Sequence, residues 1–116
     1  MPERDPHDDC TPLGVEHYPV PPMSEVQLVE LLRAVADPIR LEIVRTLSDG
    51  EPRPKSELVS DFSVQKSTLS HHFKTLRESG LTQWTVVGRT HMIRLRRSEL
   101  DERFPGLIDA LVVEAA

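Results

Sequence analysis

An α+β fold, mainly helical and carrying one β-hairpin, follows from three features of this 116-residue sequence. Apolar residues recur at helical spacing in separate segments between Glu25 and Leu81. After Gly80 the period changes from 3.6 to 2, and two alternating runs flank Gly88-Arg89 as in a hairpin. The helices at the two ends of the chain are apolar on more faces than one small domain covers. A chain of this length allows one domain with a modest core and no deep cleft.

Composition narrows the function classes. The net charge is −5, yet it is unevenly spread. From Arg53 to Arg97 there are nine Lys/Arg and three acids, a balance of +6, so the remainder carries −11. His71, His72 and His91 lie in the basic part. A local positive footprint matters more for phosphate contact than the average charge. No apolar run approaches a membrane span and no basic-then-apolar leader opens the sequence, so a cytoplasmic protein without membrane contact is expected. A single cysteine, Cys10, excludes an intramolecular disulfide and any site made from two cysteines of one chain; two copies of Cys10 can still pair in a dimer.

Taken in order, residues 1–22 hold six prolines and five acids and few residues that pack, which predicts a flexible acidic arm ahead of a domain over 23–116. His7, Asp8, Asp9, Cys10 and His17 form its one group with metal-ligand chemistry. They read either as part of a solvated tail or as a site for a divalent metal completed against the folded body, and no spacing matches a tight site. Ser24 is placed to cap a first helix with Gln27 at the capping-box position, and Val26, Val29 and Leu32 belong to an apolar arc too wide for one contact. Asp37-Pro38 starts a second helix to about Ser48, with Asp as cap and Pro in the first turn. Asp49-Gly50 ends it. A short third helix follows from Lys55 or Ser56 to Ser60.

The turn Phe62-Ser63-Val64 then leads into a helix ending at Gly80, with Ser63 or Gln65 as its cap. Leu69, Phe73 and Leu76 share its apolar side, while Ser67, His71 and Lys74 lie about half a turn away. Two helices joined by so short a turn, the second polar outside, make a helix-turn-helix pattern, and the polar face suits base edges and phosphates. His72, on the edge of the apolar side, is expected to pack with a hydrogen bond to backbone. In the hairpin, Trp84 and Val86 alternate with Gln83, Thr85 and Val87, and His91, Ile93 and Leu95 with Met92, Arg94 and Arg96. Gly first in a two-residue loop fits a type II′ turn, which puts Arg89 at a basic tip able to reach a phosphate or a narrow minor groove. A helical turn near Ser98 to Arg103 precedes a last helix from about Pro105 to Val113, where Leu107, Ile108, Leu111 and Val112 occupy nearly all sides. Leaving several large aliphatic side chains exposed forfeits about 1.5–3 kcal/mol each. A homodimer through the first and last helices (Val26, Val29, Leu32, Leu107, Ile108, Leu111, Val112) resolves this.

The runs AVADPIRLEIVRTLSDG and QKSTLSHHFKTLRESGL, followed by a hairpin with Gly-Arg at its turn, resemble the ArsR (arsenic-repressor-like) family of bacterial winged helix-turn-helix transcriptional regulators. The resemblance covers roughly Glu25 to Arg97. It implies a dimer with its recognition helices in successive major grooves, repressing a promoter until an effector releases it. By that match Ser67, Thr68, Ser70 and His71 face bases and phosphates, Gln65, Lys66 and Lys74 flank them, and Arg89 takes the wing position. The departures concern sensing. Where many metal-sensing members carry a cysteine pair, this chain has EPRPKSEL; its last helix has Asp109 and Glu114 but no His. The effector is therefore left open, and no cofactor is assigned beyond the metal reading of the arm.

The expected function is that of a sequence-specific regulator on double-stranded DNA, a homodimeric repressor at an inverted repeat with half-sites about 34–36 Å apart. The alternative is a winged-helix module for protein–protein contact, motivated by the acidic majority of the chain. An enzyme is not expected: the sequence holds no Gly-rich phosphate loop, partnered nucleophile or metal-hydrolase motif.

Overall fold

The computed structural model describes residues 15–17, of which only the backbone, and 19–113. The elements run β1 (Val15–His17), a 3₁₀ turn (Met23–Glu25), α1 (Leu28–Val35), α2 (Pro38–Thr46), β2 (Arg53–Pro54), α3 (Lys55–Asp61), α4 (Lys66–Ser79), β3 (Thr82–Val87), β4 (Thr90–Leu95), α5 (Arg97–Arg103) and α6 (Leu107–Val113). The four strands form one sheet in the order β1-β3-β4-β2, every pairing antiparallel. One core joins the layers: Leu31, Ile43, Leu58, Phe73, Ile93 and Ile108 all reach 0–1% exposure. This is a winged helix-turn-helix.

Several local expectations hold for the reasons given. The Asp37 carboxylate accepts from the Ile39 and Arg40 amides at 2.8 and 3.1 Å, and Pro38 opens α2. Burial pushes that carboxyl up, but the two amides, with the Arg40 guanidinium nearby, outweigh it and hold it below its ordinary value. Gly80 is left-handed at φ 99° and closes α4 in a Schellman motif: its amide reaches the Arg77 carbonyl at 3.1 Å, and the Leu81 amide reaches Leu76 at 3.1 Å. In the hairpin Val87 pairs with Thr90 across Gly88-Arg89. Gly88 has φ 63° and no non-glycine residue has positive φ among the described residues, which fits type II′ and excludes type I′.

Other expectations are corrected. Ser24 caps nothing. It lies inside the 3₁₀ turn, Val26 is extended, and α1 begins after Gln27 without a side-chain cap. The reason is packing: Val26 is 2% exposed and seated against Gly80, so the chain bends to bury it before the helix starts. Gln65, extended and without a side-chain bond, precedes α4, and α6 starts two residues after Pro105. Arg53-Pro54, between the expected second and third helices, pairs with β4 as a short strand. Val15–His17, inside the expected flexible arm, pairs with β3 from Val15↔Val87 to His17↔Thr85. Arg96, placed outward by alternation, is 6% exposed; its guanidinium donates to the Pro21 carbonyl at 2.9 Å and to Gly80 at 3.4 Å.

The C-terminal helices are pinned by arginines that donate to backbone carbonyls. Arg103 reaches Val26 at 2.8 Å, Arg45 reaches Leu111 at 3.0 Å, and Arg97 reaches Ser48 at 2.9 Å while pairing with Asp101 and Asp109. At the base of the hairpin, Arg94 binds Glu99 at 3.0 Å and Gln83 at 2.6 Å. The Arg94 hydrogen bond holds the Glu99 carboxyl down to about 2 from an ordinary 4.5, against the opposing effect of burial.

Gly80→Ala combines a left-handed backbone with a Cβ 2.5 Å from Val26 Cγ2. It should cost about 2 kcal/mol or more, read as a lower urea midpoint at unchanged slope. Because the Glu99 value is depressed on folding, its contribution is complete above pH 4.5 and is lost as pH falls toward 2. The stability gap between the native chain and Glu99→Gln should therefore narrow over that window in a urea series.

Candidate nucleic-acid interface

The polar face of α4 is carried on a buried one. Leu69, Phe73 and Leu76 are at 0–1% exposure, so the helix can turn only one side to solvent. That side presents Gln65, Lys66, Ser67, Thr68, His71 and Lys74, all exposed, with Ser70 half-buried on its shoulder. Leu58 of α3 is fully buried, and half-buried Phe62 and Val64 anchor the intervening turn to the core. Arg89 is exposed at the hairpin tip.

Trp84 fixes the wing relative to this helix. Its ring meets Phe73 of α4 edge-on at 6.2 Å and 75°, and His91 of β4 at 6.0 Å and 84°. The Lys55 ammonium and the Arg77 guanidinium each lie 5.3 Å from the Trp84 ring centre. Cations over an indole contribute about 0.5–2 kcal/mol each, so one side chain couples α3, α4 and the hairpin. Beside it a groove of about 350 Å³ runs between α3, the start of α4 and the wing, lined by Lys55, Ser56, Val59, Lys66, Arg89 and His91, with Thr90 at its rim. Sequence patterning marked Lys66 and Arg89 but missed Lys55, Ser56, Thr90 and His91. Their proximity depends on how the wing folds back onto α3, which no local period encodes.

The basic balance of +6 overstates the charge turned to this face. Arg94 is engaged by Glu99, Arg96 is buried, and Arg97 is held by Asp101 and Asp109. Arg53 pairs with Asp49 at 3.3 Å. Lys55, Lys66, Lys74 and Arg89 remain at the groove and the outer face of α4.

His72 is 7% exposed, but its partner is a side chain and not backbone. Its Nδ1 lies 3.1 Å from Arg40 Nη1. A guanidinium has no acceptor, so Nδ1 is the lone-pair nitrogen and His72 carries its proton on Nε2. Arg40 also donates from Nε to the Ala34 carbonyl at 2.6 Å, joining the end of α1 to the back of α4.

Of the apolar residues on the end helices, Leu28, Val29 and Leu32 are 44–52% exposed and Val113 is 70% exposed. Leu107, Leu111 and Val112 are half-buried, whereas Val26 and Ile108 are enclosed within the chain's own core. His7, Asp8, Asp9 and Cys10 lie outside the described residues, as does the His17 side chain. Among the described residues no three His, Cys, Asp or Glu side chains come together as a metal site, and no helix is long and apolar enough to cross a membrane.

Residues 37–83, which span α2, the helix-turn-helix and the start of β3, match the family model of the bacterial regulatory proteins of the arsR family. The HTH-type transcriptional regulator YceK of Bacillus subtilis is 36% identical over 83 residues, covering 71% of this chain and 83% of that protein. The chain belongs to the arsR family. The arsenical resistance operon repressor of Staphylococcus xylosus is 38% identical over 79 residues, 68% of this chain and 75% of that one. The regulator CmtR of Mycobacterium bovis is 33% identical over 90 residues, 78% and 75% of the two chains. The arsR-family chain described here is thus a winged helix-turn-helix DNA-binding regulator, as its sequence resemblance implied.

Within this arsR-family fold, Arg40→Ala should lower unfolding stability by about 1–3 kcal/mol, because His72 Nδ1 stays buried without a partner. Arg40→Lys should recover little of it, since one ammonium cannot donate to Ala34 and His72 in the same fork. Chemical denaturation of the three proteins measures both effects.

Proposed function

We propose that the chain is a cytoplasmic, homodimeric transcriptional repressor that reads an inverted repeat in double-stranded DNA and is released by an effector. The observation that carries this reading is the exposed polar face of α4 standing beside a basic groove closed by Arg89 of the wing. In it, Ser67, Thr68, Ser70 and His71 meet base edges in the major groove. Gln65, Lys66, Lys74 and Arg89 hold phosphates, joined by Lys55 at the N-terminus of α3. The repressor activity named for the staphylococcal relative supports the direction of control.

The dimer contact follows from what the monomer leaves uncovered. Val29 and Leu32, with Leu28, form the exposed stripe of α1, and Leu107, Leu111, Val112 and Val113 offer the matching apolar side of α6. Ile108 anchors α6 in the core from within, and Val26, extended ahead of α1, is enclosed in the same core. A divalent metal as effector would draw on His7, Asp8, Asp9, Cys10 and His17, the thiolate and imidazoles supplying borderline-soft donors.

Gel-shift titration on DNA from upstream of the gene tests the reading. Binding should prefer that DNA over random duplex and fall steeply with salt. Arg89→Ala and Lys55→Ala should weaken all sequences alike and each lower the salt slope by about 1, whereas changes at Ser67 or His71 should alter sequence preference by about 1–3 kcal/mol per affected base pair. Equal affinity for upstream and random DNA at moderate salt would refute it, and a protein partner retained at high salt without nucleic acid would favour the interaction module instead.

A further inference from the structure

The register of β1 decides where the first residues of the chain enter the fold. Val15 lies opposite Val87, and β1 runs antiparallel to β3. Gly88 and Arg89 follow Val87 directly, so β1 begins beside the wing tip, about one strand spacing of 4.7–4.9 Å from the end of β3. At the other end, the Arg96 bond to the Pro21 carbonyl holds the same segment against the end of α4. The chain from β1 to Pro21 therefore runs from the wing tip back to the Gly80 cap, and β1 begins at the wing-tip end of the sheet.

The sequence ahead of β1 is opposite in charge to the groove beside the tip. Residues 1–14 contain Glu3, Asp5, Asp8 and Asp9 against one base, Arg4. The groove beside the tip carries Lys55, Lys66 and Arg89 with His91, and at about 350 Å³ it has room for one or two carboxylate side chains. Asp9 is six residues from Val15, a reach of about 20 Å in extended chain. That length is enough to reach from the edge of β1 around the tip to Arg89 and the groove.

We propose that the acidic segment around Asp8-Asp9 occupies the basic groove between α3 and the wing and competes there with DNA phosphate. The proposal rests on the reading of this groove as a phosphate contact. A tether this short holds the carboxylates at millimolar effective concentration, so DNA must displace them to seat the wing. The acidic segment then lowers affinity for any duplex and leaves sequence preference, which is set by α4, unchanged. Because the competition is between charges at the surface, it fades as salt shortens the Debye length below about 8–10 Å.

The test compares two full-length variants of equal net charge, Asp8→Asn/Asp9→Asn and Glu51→Gln/Glu102→Gln, the latter at exposed positions elsewhere on the chain. The first should bind DNA on the order of 3–10-fold more tightly than the native chain in low salt, with the gap closing near 0.3 M. The second should change affinity less. In parallel, the backbone amide resonances of Lys55, Lys66, Arg89 and Thr90, recorded without DNA, should shift in the first variant and not in the second. Equal gains in both variants with unmoved groove resonances would overturn the proposal while DNA binding stands. If neither variant nor the native chain binds DNA, the phosphate-contact reading fails, and with it the competition.

Discussion

The packing of Trp84 is the interaction on which the geometry between α4 and the wing depends. A hairpin on its own has no reason to hold one angle to a neighbouring helix. Here an indole, 7% exposed, is clamped between Phe73 of α4 and His91 of β4, with Lys55 and Arg77 over its ring. The Schellman motif at Gly80 closes the helix just after Arg77 and leads through Leu81 into Thr82↔Leu95, the first ladder pair of the hairpin. Helix and wing are consequently one rigid reading head. A change that loosens Trp84 would shift Arg89 relative to Ser67 and His71 without touching any of them.

The second organising device is arginine chemistry directed inward. Carbonyls at element ends and in connecting segments, those of Pro21, Val26, Ser48, Gly80 and Leu111, receive guanidinium donors from distant parts of the chain, and that of Ala34 receives one from nearby Arg40. These bonds satisfy acceptors that helix ends leave open, and they tie the C-terminal helices and the N-terminal segment to the helix-turn-helix body. The consequence for function is electrostatic. Arginines spent on carbonyls and on Glu99, Asp101 and Asp109 are withdrawn from the DNA footprint, which is left mainly to lysines and to Arg89. Such a face suits compact phosphate contacts more than bidentate base recognition, and in the proposed function base contact falls to the short polar side chains of α4.

Much of the architecture was legible because its signals are local. Asp37-Pro38, Gly80 and Gly88-Arg89 each serve a backbone requirement that those residue types meet wherever they stand, and the apolar positions of α4 and the hairpin follow periods of 3.6 and 2. The errors fall where long-range packing overrode a local rule. Ser24 has the chemistry of a cap, but burying Val26 against Gly80 displaced the helix start. Arg96 alternates as a surface residue, but the carbonyls of Pro21 and Gly80, from two separate segments, converged on it. His72 was expected to bond backbone and bonds Arg40.

The amino-acid sequence by itself determined the succession of elements, the polar face of α4, the family and the presence of a basic wing tip, since periodicity, capping and turn chemistry act over a few residues. Tertiary structure alone decided which charges face outward, that Lys55 and His91 join Lys66 and Arg89 around one groove, and that Val15–His17 adds a strand at the wing's edge. Those outcomes depend on which distant segments meet, and buried contacts and strand register settle that only when the whole chain has folded.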